Sequence, residues 1–380
     1  MTLKHRLRDS VLKLVPLVAK RPSAGDPATM LVVRPDHLGD ILLSQPAVRL
    51  LREALPDTRM IGVVGPWSRE IAAMALPFDE FVSVPFPGFQ RGDRMGVLDR
   101  YKLLFTASEE LRRYRAGSAV VLRADDWWGA CLAWLSVSGE VYASSDSRVS
   151  SFATRTVEIP ENLHALERSY RIAELVTSEK VQPAGERVVT IPRNSQAAEE
   201  AGRLLQTLGV DRPYLVLHPA AGEPVKYWPT ARWRALLQQL PDFSIVLTGV
   251  LAEEKLCAQI AAGNPQAVSL AGRTSLPILT EILREATLVI GPDTGPIHLA
   301  AAVGTPTVSI FGPSDPNRFR PWGPPAMHTV VQSGWQCRSC GNLSFSRPES
   351  CGCVLAVPVN AVYQAVRAEL SNHAAVHAGH

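Results

Sequence analysis

The segment Gly291-Pro-Asp-Thr-Gly295 lies between an apolar run and a stretch of helical spacing that contains His298. A glycine-rich turn that opens a helix presents free backbone N–H groups and the positive end of the helix dipole, and together these hold a phosphate. Thr294 adds a hydroxyl and His298 a hydrogen-bond donor. The simpler reading makes Asp293 a helix cap, which is compatible with a ligand site. Phe311-Gly-Pro-Ser-Asp-Pro316 sets a glycine and two prolines around Ser314 and Asp315, giving a rigid loop beside the first. Upstream, Gly222 in His218-Pro-Ala-Ala-Gly222 lets backbone approach a phosphate, and Lys226 can neutralise a diphosphate as a mobile point charge. A plain surface lysine is the alternative, and Trp228 with Pro229 reads as packing. Thr248, Gly249 and Glu253 follow another apolar run, where the carboxylate either takes ribose hydroxyls or satisfies a helix start.

In the first half the informative loop is Arg34-Pro-Asp-His-Leu-Gly-Asp40. It lacks G-x-G-x-x-G, so a dinucleotide site is not indicated. Asp40, after Gly39, can accept the proton of an attacking hydroxyl, or it can simply cap the next helix. Arg123-Ala-Asp-Asp-Trp-Trp128 brings a guanidinium and two tryptophans to the end of a strand. Trp127 and Trp128 either stack a sugar or fill the core. Arg91, Arg94 and Lys102 can meet a phosphate or carboxylate, or lie on a solvated helix face. Cys337-x-x-Cys340 with Cys351-x-Cys353 has the look of a small structural zinc knot, against reduced thiols in a loop. Cys131 and Cys257 read as helix packing.

The elements that must carry these loops are legible as alternating strands and helices. Apolar runs at 30–34, 60–64 and 119–122 read as strands, with helices over 46–55 and 69–74. The same grammar restarts after Val188, with strands at 214–217, 244–247, 267–270, 288–290 and 307–310. Helices fall at 197–208, 231–239, 253–262, 276–285 and 297–303. Such alternation implies parallel sheets, hence an α/β protein of two Rossmann-like, doubly wound domains with ligands at the carboxyl ends of the strands and a cleft between them. At 380 residues two domains are expected: 30–190 and 191–356, after a basic extension 1–29 and before a helix and frayed tail over 357–380.

The chain is 46% apolar and 20% charged, without an apolar run long enough to span a membrane. A net charge of +3 is not the footprint of a nucleic-acid binder. Residues 1–29 hold Lys4, Arg6, Arg8, Lys13, Lys20 and Arg21 between apolar residues. This is either a helix for peripheral contact with the anionic inner-membrane surface or a solvated one. Lys13 interrupts the apolar stretch, so it is not a signal peptide, which argues for a cytoplasmic protein.

Taken in order, Leu38-Gly-Asp40 with Pro46, His164-Ala-Leu-Glu-Arg168, Lys226-Tyr-Trp-Pro229, Asp293-Thr-Gly-Pro-Ile-His298 and Phe311-Gly-Pro-Ser-Asp-Pro316 resemble the bacterial heptosyltransferases of glycosyltransferase family 9. The resemblance implies a glycosyltransferase-B fold, acceptor on the first domain and ADP-heptose or a similar nucleotide sugar on the second. It implies an inverting transfer without cofactor or catalytic metal, onto a glycan, lipid-linked or small-molecule acceptor. Position by position, Asp40 matches the base and Lys226 the phosphate-contacting lysine. Asp293, Thr294, Gly295 and His298 match the donor-diphosphate loop. Gly39, Arg123 and Trp127 are expected at the acceptor, and the unusual segment 123–128 leaves the acceptor's identity open. A transferase acting on a soluble metabolite, an epimerase or isomerase of the same architecture, and an inactive sugar-nucleotide binder are the other readings.

Overall fold

The computed structural model describes residues 20–90, 95–177, 187–335 and 352–378. The chain divides into two compact units that meet at Arg187 and Val188.

The first unit is built on β1 (Asp26–Arg34), β2 (Arg59–Val64), β3 (Glu80–Ser83), β4 (Ala116–Val121), β5 (Val141–Ser144) and β6 (Arg155–Val157), in the order β3-β2-β1-β4-β5-β6. Every pairing is parallel. Leu31, Val32 and Val33 are fully buried, which is what a continuous apolar run achieves in a parallel sheet covered on both faces. The strand expected to begin at Met30 starts at Asp26, because Asp26 pairs with Ala116 and its backbone N–H reaches Arg115. Part of the expected extension therefore belongs to the sheet, and the amphipathic helix read over the basic residues before Lys20 falls outside the described residues.

The second unit repeats the plan with β7 (Tyr214–Leu217), β8 (Ser244–Leu247), β9 (Ala267–Ser269), β10 (Leu288–Pro292), β11 (Thr307–Phe311) and β12 (His328–Gln332), in the order β12-β11-β10-β7-β8-β9. Counted from its own first strand, this is the same order as in the first unit. In both sheets the chain reverses direction of growth beside the first strand, between β1 and β4 and between β7 and β10. Such switch points leave a crevice at the carboxyl ends of the strands.

The sequence reading omitted β3, β5, β6 and β12, all short strands toward the sheet edges, and the helices Val97–Arg112, Trp127–Ser136 and Ala165–Thr177. The last helix runs over Val359–Ala378 and so takes in most of the tail expected to fray. Among the described residues, no helix is long and apolar enough to cross a membrane.

Candidate active site

At the switch point of the second unit, β7 runs into His218 and β10 into Asp293. Gly291 allows the close approach of these two strands, since a Cβ there would lie 2.8 Å from the His218 carbonyl oxygen. After His218 the chain makes a tight turn over Pro224–Lys226. From that turn Lys226 Nζ reaches the Asp293 carboxylate at 2.6 Å and donates to the Asp293 carbonyl at 3.3 Å. Lys226 is therefore a fixed charge held over the strand end, and the mobile point charge expected from sequence is corrected on this point. The second Asp293 oxygen lies 3.7 Å from His298 Nε2.

Asp293 is buried, which alone would raise its pKa. The Lys226 charge, with the nearby His298 ring, outweighs that and holds the carboxyl well below the usual range. Asp293 does not cap the helix, as the plainer reading had it. Thr294 occupies the N-cap position in extended backbone, with no side-chain cap bond, so the first N–H groups of helix Gly295–Ala302 are not capped by it. Two buried polar atoms lack a hydrogen-bond partner here: Nδ1 of His298 and, in the loop that leaves β11, Oγ of Ser314. A helix start, a lysine and buried polar atoms gathered at one strand end are groups whose chemistry suits an anion.

Gly222, four residues before Lys226, is exposed. Thr248 is buried after β8, its hydroxyl 3.1 Å from His218 Nδ1, and so braces the neighbouring strand end. Glu253 accepts the Val250 N–H at 2.8 Å, the turn-holding role that was the plain alternative, and its side chain covers Gly249. Val250 and Leu251 stand exposed next to it. This apolar pair escaped the sequence reading; its signal was two hydrophobic residues in a loop directly after a strand.

At the switch point of the first unit, Asp40 is not in a loop, as expected, but is the third residue of a short helix, Leu38–Leu43. His37 is the N-cap, so Asp40 is not the cap either. Its carboxylate is 34% exposed and lies 3.7 Å from Arg34 Nη2, which also donates to the Asp40 carbonyl at 3.2 Å. Gly39 precedes it, partly exposed.

Arg34 is buried, donates to the Leu122 carbonyl at 2.9 Å, and pairs through Nε with Asp36 at 3.1 Å. Asp36 is 2% exposed and also pairs with Arg123. Burial pushes its pKa up, and the charges of Arg123 and Arg34 overcome this and bring it below the usual value. Arg123 donates as well to Asp125 at 2.8 Å, and its guanidinium lies 5.0 Å from the Phe89 ring centre. Asp36 was not singled out in the sequence; an acid two residues after a buried arginine at a strand end was the available signal.

Trp127 is half-buried against the first core, and Trp128 is a core residue packed edge-on to Phe86 at 5.4 Å. Of the four crowded cysteines only Cys353 lies among the described residues, buried in the second core, so the zinc reading falls outside them. Cys131 and Cys257 are buried within helices as expected, and burial pushes both thiols up to about 12.

Two parallel six-stranded sheets of this order, each with a switch-point crevice at the carboxyl ends of its strands, have the architecture of the glycosyltransferase-B fold. Comparison with known proteins carries this further. Residues 106–343 match glycosyltransferase family 9 (heptosyltransferase), and the chain belongs to that family. It is 26% identical to lipopolysaccharide heptosyltransferase 3 of Escherichia coli K12, over 75% of this chain and 82% of that protein. Its fold is similar to that of the E. coli ADP-heptose lipopolysaccharide heptosyltransferase II, with a TM-score of 0.69, 19% identity, and coverage of 90% of this chain and 99% of the other. The E. coli heptosyltransferase WaaC solved with ADP matches with a TM-score of 0.66 and 22% identity, over 90% of this chain and 99% of that one.

Proposed function

We propose that this glycosyltransferase moves a heptose, or a closely similar sugar, from an ADP-sugar to a hydroxyl of a lipopolysaccharide-core glycan, with inversion at the sugar carbon. The relatives support the sugar and pathway by name, and one solved neighbour is described with ADP. The observation that carries the reading is the Lys226–Asp293 pair at the uncapped start of helix Gly295–Ala302.

In this proposal the second unit is the donor domain. The diphosphate sits on the N–H groups from Thr294 and Gly295 onward, with Lys226 and His298 as donors and Gly222 leaving room beside them. The adenosine lies toward Thr248, Gly249 and Glu253, with Val250 and Leu251 offering apolar surface to the base. As the bond from sugar to phosphate breaks, negative charge grows on the leaving ADP. Fixed cationic and N–H donors stabilise that charge more in the transition state than in the ground state.

The first unit is the acceptor domain, with Gly39, Arg123 and Trp127 at the acceptor's edge. Asp40 takes the proton of the acceptor hydroxyl as its oxygen attacks the sugar carbon. The basic residues before Lys20 give the enzyme a peripheral hold on the cytoplasmic face of the inner membrane, where such an acceptor is presented.

The test is a pair of variants assayed with ADP-heptose. Asp40→Ala is expected to lower transfer by about 10²- to 10⁴-fold while leaving donor affinity intact, the range typical of a lost general base. Lys226→Ala is expected to weaken donor binding and slow turnover together. Donor binding lost in the Asp40 variant, or transfer undiminished in it, removes Asp40 as the base.

A further inference from the structure

The carboxyl ends of β1, β4 and β5 carry a chain of alternating charges. Arg34 faces Asp36 and Asp40, and Arg123 faces Asp36 and Asp125. Arg148 faces Asp146 at 2.6 Å and Asp125 at 4.0 Å. Arg168 acts electrostatically on Asp146 as well. Among the described residues, each guanidinium of the group is thus matched by a carboxylate, and the buried Asp126 adds one more acid.

Beside this chain lies an aromatic ledge. Trp67 and Phe89 are parallel to within 10° at 6.3 Å, and His37 leans on Trp67 at 5.7 Å. Trp67 is anchored by its Nε1, which donates to the carbonyls of Pro35 and Asp36 at 3.0 and 3.2 Å. Arg123 over Phe89 joins ledge and charge chain into one surface that ends at Asp40.

An anion entering here meets arginines whose forks are already taken, next to the half-buried carboxylates Asp40 and Asp125. It must break an ion pair or accept repulsion. A neutral sugar meets no such cost. Its hydroxyls both donate and accept, which suits alternating N–H groups and carboxylate oxygens, and its C–H face packs on an aromatic ring.

We infer that the ledge Trp67–Phe89 and the paired charges Arg123–Asp125–Arg148 form an acceptor subsite selective for a neutral polyhydroxylated ring over a carboxylated one. This rests on the first unit being the acceptor domain.

The experiment compares methyl β-D-glucopyranoside with methyl β-D-glucopyranosiduronate, which differ by the carboxylate alone, using saturation-transfer NMR on the full chain. The neutral glycoside is expected to take up severalfold more saturation than the uronate. Trp67→Leu should abolish that uptake. Asp125→Asn, at a residue 38% exposed in its side chain and so tolerant of change, should remove one repelling carboxylate and loosen the hold on Arg123 and Arg148, which keep Asp36 and Asp146, and so narrow the gap between the two signals. The inference is overturned if the uronate saturates as well as the neutral glycoside in the wild type, or if neither binds. It is equally overturned if Asp125→Asn leaves the ratio unchanged, or if a folded Trp67→Leu variant keeps the signal. Should Trp67→Leu fail to fold, Asp125→Asn decides. ADP-induced thermal stabilisation of the wild type tests the transferase reading separately, because its failure does not depend on either glycoside.

Discussion

Asp126 caps the helix Trp127–Ser136 by accepting the Gly129 N–H at 2.9 Å, yet it is buried and its second oxygen has no hydrogen-bond partner. Burial is the largest influence on its pKa. The Gly129 bond and Arg123 oppose it, Asp36 and Asp125 add to it, and the result is a carboxyl pushed up to about 7. A folded-state pKa raised above the unfolded one contributes stability that is complete below the unfolded value near 4 and is lost as pH rises through about 7. Asp126→Asn keeps an oxygen for the Gly129 N–H and cannot ionise. Its stability relative to wild type is therefore expected to rise between pH 5 and pH 8, read from urea melts at both; a constant difference would mean that Asp126 does not titrate in this range. Asp293 is the opposite case. Its depressed pKa contributes stability that is present above the unfolded value and lost as pH falls through the folded one. Lys226→Met should flatten that acid limb and cost about 2–3 kcal/mol at neutral pH, because a carboxylate 10% exposed then loses its counter-charge. Melts from pH 7 down to 3 measure both effects.

At the scale of elements, the stretch Lys226-Tyr-Trp-Pro229 does two jobs with residues two apart. Lys226 turns to the strand end, while Trp228 is buried and packs edge-on to Trp233 at 4.9 Å. Its Nε1 donates to the Val357 carbonyl at 3.0 Å, and Arg232 donates to the same oxygen at 2.7 Å. The start of helix Thr230–Leu237 is thereby tied to the entry of helix Val359–Ala378. Trp228→Phe keeps most of the ring but removes the N–H, so a loss of about 1–2 kcal/mol is expected, the size of one buried hydrogen bond. Donor affinity should stay unchanged. Chemical denaturation and an ADP titration on the same variant separate the two roles, and a drop in affinity as large as that of Lys226→Ala would contradict the division. The helix Leu38–Leu43 shows the converse. A proline and a glycine near its start made 34–40 read as loop, but Ile41, Leu42 and Leu43 are buried and hold one and a half turns of helix in place. Asp40 owes its position to that packing.

For the whole molecule, each unit has its own six-stranded sheet and its own core. A nucleotide held by the second unit alone should stabilise that unit. With ADP at a hundredfold over its dissociation constant, calorimetry is expected to show about 2.7 kcal/mol of stabilisation there. An ADP effect that Lys226→Ala leaves at full size would place the nucleotide elsewhere. Much of this organisation can be read without coordinates. The buried strands of both sheet centres, the helix start at Gly295 and the turn before Lys226 follow from apolar runs and from glycine and proline placed between them, because those signals arise among near neighbours in the chain. The short strands β3, β5, β6 and β12 carry little periodicity of their own, being a few residues long and partly exposed, and are held by the strand next to them. The pairings that make the site chemical lie further off: Lys226 with Asp293 spans 67 positions and Asp36 with Arg123 spans 87. Residue types and spacing determined that this chain has two doubly wound α/β folds in tandem and which loops leave the ends of their strands. Only the parallel crossovers, which bring distant strand ends side by side, decided which charges meet.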